Sequence, residues 1–220
     1  MDDRLVVIRV LETAVSQDPA QVAQAEESMK ILATKPNFHA MLFDIFADRT
    51  VPTQIRWMAT ITLKNGIDKY WKRSALHPIK LPEKELIRPR LLTMLDEDTP
   101  LVALQYCLVV AKIARWEFPR VWPSFAEDLL AQIQAIATDP SLSAARRGIM
   151  ENNVLYIMHL FVKSLSSRTL VLERQSLRQI TPLVFAVLAP IYAERIAQFH
   201  EVMLRNQNHI SDIATFFAES

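Results

Sequence analysis

Half of the 220 residues are hydrophobic and the net charge is +1, so the chain has apolar material for a sizeable core and no global pull toward nucleic acid or an anionic membrane. Gly66 and Gly148 are the only glycines, too few and too far apart to write a Rossmann or P-loop fingerprint, and no stretch alternates long enough for a half-buried strand. Cys107 stands alone, which excludes a disulfide within the chain and suits a reducing compartment.

In chain order the pattern is helical. The opening Met-Asp-Asp-Arg is too short and acidic for a signal peptide. Leu5 to Val15 carries one apolar face. Asp18-Pro19 supplies an N-cap and a proline at the first helical position. The helix it starts runs to about Thr34, with Val22, Ala25, Met29 and Leu32 facing inward, and Lys35-Pro36-Asn37 ends it. Phe38 to Ala47 is a short helix, and 48–52 is a turn into Gln54–Arg73, which is apolar over most of its circumference in its first half. Ile55, Met58, Ala59 and Leu63 are expected in the core. Beyond them Lys64, Asn65, Asp68 and Lys72 fall at spacings that share one helix face. A helix that is apolar nearly all round is covered on both flanks, which leaves this stripe for a partner.

Pro82 starts a helix through Leu95, bent or divided at Pro89. Asp98-Thr99-Pro100 caps a helix to about Trp116; its apolar run 101–111 is well short of the ~20 residues a bilayer needs. Helices over Phe118–Ala137 and from Asp139-Pro140-Ser141 to about Leu165 follow. Leu170–Leu204, containing Pro182 and Pro190, is expected as two helices or one kinked helix, and 206–220 resumes the apolar pattern. These features predict a soluble, intracellular, all-α chain.

The helices pair, a shorter one followed by a longer and more apolar one. Lys64 and Lys112 hold comparable places in successive long helices, a separation close to the ~40–47-residue period of HEAT and armadillo repeats. Asp48 and Arg56 suit a HEAT unit in which such a pair ties neighbouring repeats. Stacking supplies the core that one pair lacks. The expectation is four to five pairs spanning 1–220 as the N-terminal segment of a longer solenoid, with 54–73 the inner helix of the second pair.

Ala25-Glu26-Glu27-Ser28-Met29, Phe38…Leu42…Ile45, Gln54-Ile55-Arg56-Trp57-Met58-Ala59, and Leu63-Lys64-Asn65 with Ile67 and Trp71 together resemble the N-terminal domain of the importin-β (karyopherin-β) transport receptors. GIDKYWKR and ARWEFPRVWPSF are similar in particular to the importin-eleven branch and its fungal counterpart. The diagnostic coverage is 22–125. The resemblance implies a right-handed, armadillo-like HEAT superhelix, with a Ran-binding domain over 25–98. It implies a nuclear import receptor whose first repeats bind Ran-GTP, coupled to release of import cargo and to passage through pores lined by phenylalanine-glycine nucleoporins. Such a receptor shuttles between nucleus and cytoplasm and visits the nuclear envelope. Lys64 and Asn65 match the motif itself, Asp68 and Lys72 share its face, and Gln105 and Lys112 extend it onto the next long helix. Gln105 stands where a repeat arginine is expected, so inter-repeat pairing is expected to lapse there. An export receptor of the same family and a HEAT scaffold that does not bind Ran are the rivals.

No catalytic residue, metal, cofactor, nucleic-acid contact or membrane insertion is expected, and the chain is read as a monomer. Cys107 reads as a structural thiol, and the histidines at 39, 77, 159, 200 and 209 make no zinc spacing. Glu26-Glu27 and Asp96-Glu97-Asp98 read as helix-dipole partners. Asn152-Asn153 reads as a cap or bridge between repeats. Trp57, Tyr70, Trp71, Trp116, Phe118, Trp122 and Phe125 read chiefly as packing. Lys64–Arg90, with eight Lys/Arg against three Asp/Glu, reads as a solvated basic stretch.

Overall fold

A computed structural model describes the backbone over 3–167 and 171–218, and side chains over 3–167 and 174–205. Two compact units divide the chain, 1–173 and 174–220. The first holds α1 (Asp3–Ala14), α2 (Pro19–Leu32), α3 (Phe38–Ala47), α4 (Thr53–Tyr70), α5 (Leu81–Ile87), α6 (Pro100–Glu117), α7 (Phe125–Thr138) and α8 (Ala144–Ser166). The second is the long helix α9 (Val171–Ala218). The described residues are all-helical, as expected.

Within the first unit α1 packs on α2, α3 on α4, and α7 on α8. The longer members form a continuous row, α4 against α6 and α6 against α8, while α3 meets α5. Each interface is filled by apolar side chains at helical spacing. Leu42, Phe43, Ile45 and Phe46 of α3 are buried with Ala59, Leu63 and Ile67 of α4, and Phe46 stacks on Tyr106 of α6 at 5.5 Å. Phe118 and Phe125 each meet the edge or face of Phe161, at 5.0 and 4.8 Å. These are the separations at which aromatic pairs add to burial.

Several boundaries differ from the expectation, each for a local reason. The first helix after Pro82 stops at Ile87, and Pro89 sits in a 3-10 turn, Arg88–Arg90, so proline divides the segment. Helices α7 and α8 begin later than expected, at Phe125 and at Ala144, where the Ser143 hydroxyl accepts from Arg146 N and caps α8. Met58 is half-buried rather than core, and α2 fully buries only Ala25. Of the two forms expected for Leu170–Leu204, the structure shows a single helix: α9 runs through Pro182 and Pro190 from Val171. Both prolines are exposed, as are Arg178 and Ala186, whose carbonyls lose their helical donors, so the loss falls on a solvent-facing side where it costs least. Arg174–Arg205 is, among the described residues, long and apolar enough by length and composition to cross a membrane.

Candidate functional site

The site is built where the row of long helices exposes its polar line. From α4, Lys64 is half-buried and Asn65 and Asp68 are exposed; α4 ends at Tyr70, so Lys72 lies just past the helix and not on its face. Across the seam α6 answers residue by residue. Lys64 Nζ donates to Gln105 Oε1 at 2.9 Å, Asp68 pairs with Lys112, and Lys72 Nζ stands 4.1 Å above the Trp116 ring. Gln105, which replaces an expected repeat arginine, joins the preceding repeat instead, its amide oxygen accepting from the Lys64 ammonium. Five of the six candidate residues are therefore joined in one ladder. Asn65 is turned to the other side, where it lines a groove with Glu26, Met29, Lys30 and Lys69 between α2 and α4.

Beneath this exposed ladder lies a buried one. Arg56 is 5% exposed and Glu97 1%; they form an ion pair, and Arg56 Nε also donates to Phe46 O at 2.8 Å. Glu97 accepts in addition from Thr99 N at 3.1 Å, and Asn153 Nδ2 of α8 donates to Leu95 O and Glu97 O at 2.8 and 3.0 Å. Asn153 is thus the expected bridge between repeats. As expected of a HEAT unit, Arg56 and Asp48 tie their repeat to its neighbours: Arg56 pairs forward with Glu97, and Asp48 is held by Arg4 of the preceding pair at 2.5 Å. One expectation is corrected here. Glu97 is no dipole partner but a buried counter-ion at the turn before α6. Its burial was not readable from a run of three acidic residues; the arginine facing it from the preceding repeat was the available signal.

Two further carboxylates were also missed. Glu117, at the end of α6, accepts from both Arg88 nitrogens at 2.6 and 2.7 Å and from Trp71 Nε1 at 3.2 Å. This pair lifts the Arg88 guanidinium above its ordinary range, chiefly through the Glu117 hydrogen bond. Lys84 donates to Trp71 O at 2.5 Å, and burial first, then Arg88 and Arg73, lowers its ammonium despite the pull of Glu117. Glu83 of α5 reaches back to α3. Asn37 sits at φ 62°, a conformation asparagine tolerates, and its side chain gives α3 no cap. Glu83 takes that place, accepting from the backbone N–H groups of Asn37, His39 and Ala40 at 3.0, 2.7 and 3.2 Å. Burial works to raise the Glu83 carboxyl, but His39 and these amides outweigh it and hold it below the usual range. His39 Nδ1 is 3.5 Å from Glu83, too far for a good hydrogen bond, and the ring abuts Gly66: a Cβ there would lie 2.6 Å from it.

The aromatics divide. Trp71, Phe118 and Phe125 are buried, Trp57, Tyr70 and Trp122 are half-buried, and Trp116 is 37% exposed beside Lys72. Burial pushes the Cys107 thiol up to about 12. No group of three or more His, Cys, Asp or Glu among the described residues is placed to hold a metal.

Residues 25–97 match the family model described as the importin-beta N-terminal domain. The chain is 32% identical over 170 residues to "Importin-11" of Homo sapiens, covering 77% of this chain and 16% of that protein. It is 30% identical over 206 residues to "Importin beta-like protein kap113" of Schizosaccharomyces pombe, covering 94% and 20%. Its fold superimposes with a TM-score of 0.70, at 30% identity, on Lph2, described as a bidirectional nuclear transport receptor in S. cerevisiae, covering 79% of this chain and 17% of that one. The chain therefore spans about a fifth or less of the length of these relatives.

Proposed function

From the importin-β N-terminal domain that residues 25–97 carry, we propose that this chain is the part of a nuclear import receptor that binds Ran in its GTP form. The observation that carries the reading is the partly exposed ladder from α4 and the turn after it to α6, Lys64–Gln105, Asp68–Lys112 and Lys72–Trp116, on the row of long helices inside and just beyond that domain. Exposed pairs of this kind contribute little to folding, roughly 0–1 kcal/mol each, so a partner can exchange or share them at small cost. Asn65 offers an amide on the same stretch. A solenoid presents such side chains over an extended surface suited to a folded partner. Discrimination between nucleotide states arises in Ran, whose switch segments are ordered by GTP; the receptor only fits one form better. It touches no nucleotide.

Coupling follows from that preference: Ran-GTP engagement expels import cargo, whereas an export receptor retains cargo with Ran-GTP. The description of Lph2 as bidirectional makes this the finer branch to test. Phenylalanine-glycine nucleoporins complete the proposed partners, with partly exposed Trp116 a ring they can meet. The receptor then shuttles between nucleus and cytoplasm.

The test is capture of Ran locked in each nucleotide state, followed by addition of cargo. GTP-dependent capture is expected, and Lys64→Glu with Lys72→Glu weakens it about tenfold or more while far-UV helicity stays unchanged. Equal capture of both states, or none, favours the scaffold reading and overturns this one.

A further inference from the structure

The basic stretch between residues 64 and 90 separates in the structure into two kinds of cation. Five are engaged: Lys64 with Gln105, Lys72 with Trp116, Lys84 with Trp71 O, Arg88 with Glu117, and Arg90 with Asp44. Lys69, Arg73 and Lys80 are exposed and have no carboxylate partner among the described residues. Residues 69–80 contain no Asp or Glu. The loop after α4 is folded back on itself, with Ile79 N donating to Tyr70 O at 2.8 Å and Ala75 N to Lys72 O at 3.2 Å. That closure holds Leu76 outward, 88% exposed.

Leu76 stands at the rim of a recess rather than alone on the surface. It lines a cleft of about 140 Å³ with Lys35, Pro36, His77, Pro78 and Lys80. Lys35 and Lys80 arrive from different repeats, and both are exposed with no partner among the described residues. The one carboxylate in the cleft, Glu83, is buried at its floor and spent on the three amides of α3. A single exposed leucine is ordinary, and so is a solvated lysine. The combination is different. An exposed apolar side chain beside two prolines, flanked by two unneutralised ammonium groups, matches a ligand with an apolar side chain between negative charges.

We propose that this cleft docks an extended acidic peptide segment of a partner protein, its carboxylates on Lys35 and Lys80 and an aliphatic side chain against Leu76 and Pro78. The site is separate from the ladder between α4 and α6 and does not depend on Ran binding. A peptide fits better than the other anionic macromolecules. No Phe, Tyr or Trp lines the cleft, which leaves His77 as the one exposed ring there that could stack a nucleic-acid base, and one exposed leucine is not the apolar face that inserts into a lipid surface. Opposite charge across such a rim sets encounter rate and selectivity, so the interaction is salt-sensitive.

The test is fluorescence anisotropy of the chain with a labelled Asp/Glu-rich peptide carrying a central leucine, at low salt and at about 150 mM salt. Saturable binding that weakens with salt is expected. Lys35→Glu with Lys80→Glu reduces affinity about tenfold, and Leu76→Ser about threefold. Far-UV circular dichroism stays unchanged, because these side chains hold nothing else in place. GTP-dependent Ran capture by both variants is unaffected, so failure of this site is distinguishable from failure of the Ran reading. Equal affinity for the peptide with its carboxylates replaced by amides overturns the proposal. So does tighter binding of a single-stranded RNA oligomer or of phosphatidylserine-containing vesicles, or undiminished peptide binding by the charge-reversed variant.

Discussion

Two polar lines cross from α4 to its neighbour in the first unit, and they differ in depth more than in chemistry. The buried line, Arg56 to Glu97, lies out of water; the exposed line, Lys64 to Gln105 and Asp68 to Lys112, lies at its edge. Each joins residues 41 to 44 positions apart, one repeat length. Buried charges are costly to separate, because the abandoned partner has no water to turn to. Exposed ones lose almost nothing, because water replaces the partner. The first line therefore fixes how one repeat sits on the next, and the second stays available for exchange. A solenoid receptor needs both on the same helix.

The largest effect that sharpens this contrast is expected at Glu97. Glu97→Ala leaves Arg56 buried and unpaired and costs about 3–5 kcal/mol in urea denaturation. Arg56→Met combined with Glu97→Leu recovers most of that loss; if it does not, the pair is not the buried tie described. Gly66→Ala is next, at roughly 1–3 kcal/mol, since its Cβ meets the His39 ring at 2.6 Å and His39 is buried. His39→Ala in the same chain relieves the clash, a coupling a double-mutant cycle detects.

Glu83 gives a pH signature. Its carboxyl is held below the ordinary value, so its contribution is complete above the usual carboxylate range and is lost as pH falls through the lower folded value. Glu83→Gln costs about 2 kcal/mol near neutrality and flattens the acid limb of the stability curve. The smallest effect belongs to the exposed line: Lys112→Ala, removing the partner of Asp68, changes stability by less than about 1 kcal/mol. A loss as large as that at Glu97 would mean the two lines are not distinct.

Much of the architecture was readable because it rests on local rules. Asp18-Pro19 and Pro100 open helices where they should, Pro89 ends one, and the apolar spacing of Leu42, Ile45 and Phe46 marks the core. Local rules fail where the partner is a repeat away. A lone glutamate such as Glu83 or Glu117 looks like any solvated surface residue until the fold brings Asn37 or Arg88 beside it. Pro182 and Pro190 left two readings open, a break or one helix, and the single helix is seen because their helix-breaking tendency is tolerated on an exposed face. The candidate site was half legible. Its residues follow from one motif and one helical face, while their pairing with α6, and the escape of Asn65 to the other groove, needed three dimensions.

The cap on α3 has a consequence for synthesis. Its carboxylate lies 43 to 46 positions downstream of the amides it satisfies. A ribosome delivers the chain from its N-terminus, so α3 emerges with its first N–H groups open and waits through the making of α4 for Glu83 to arrive. During that interval its apolar face is exposed without the group that completes its first turn. The second repeat therefore becomes a finished unit only when the third has begun, unlike α2 and α8, whose first turns are capped by the residues just before them.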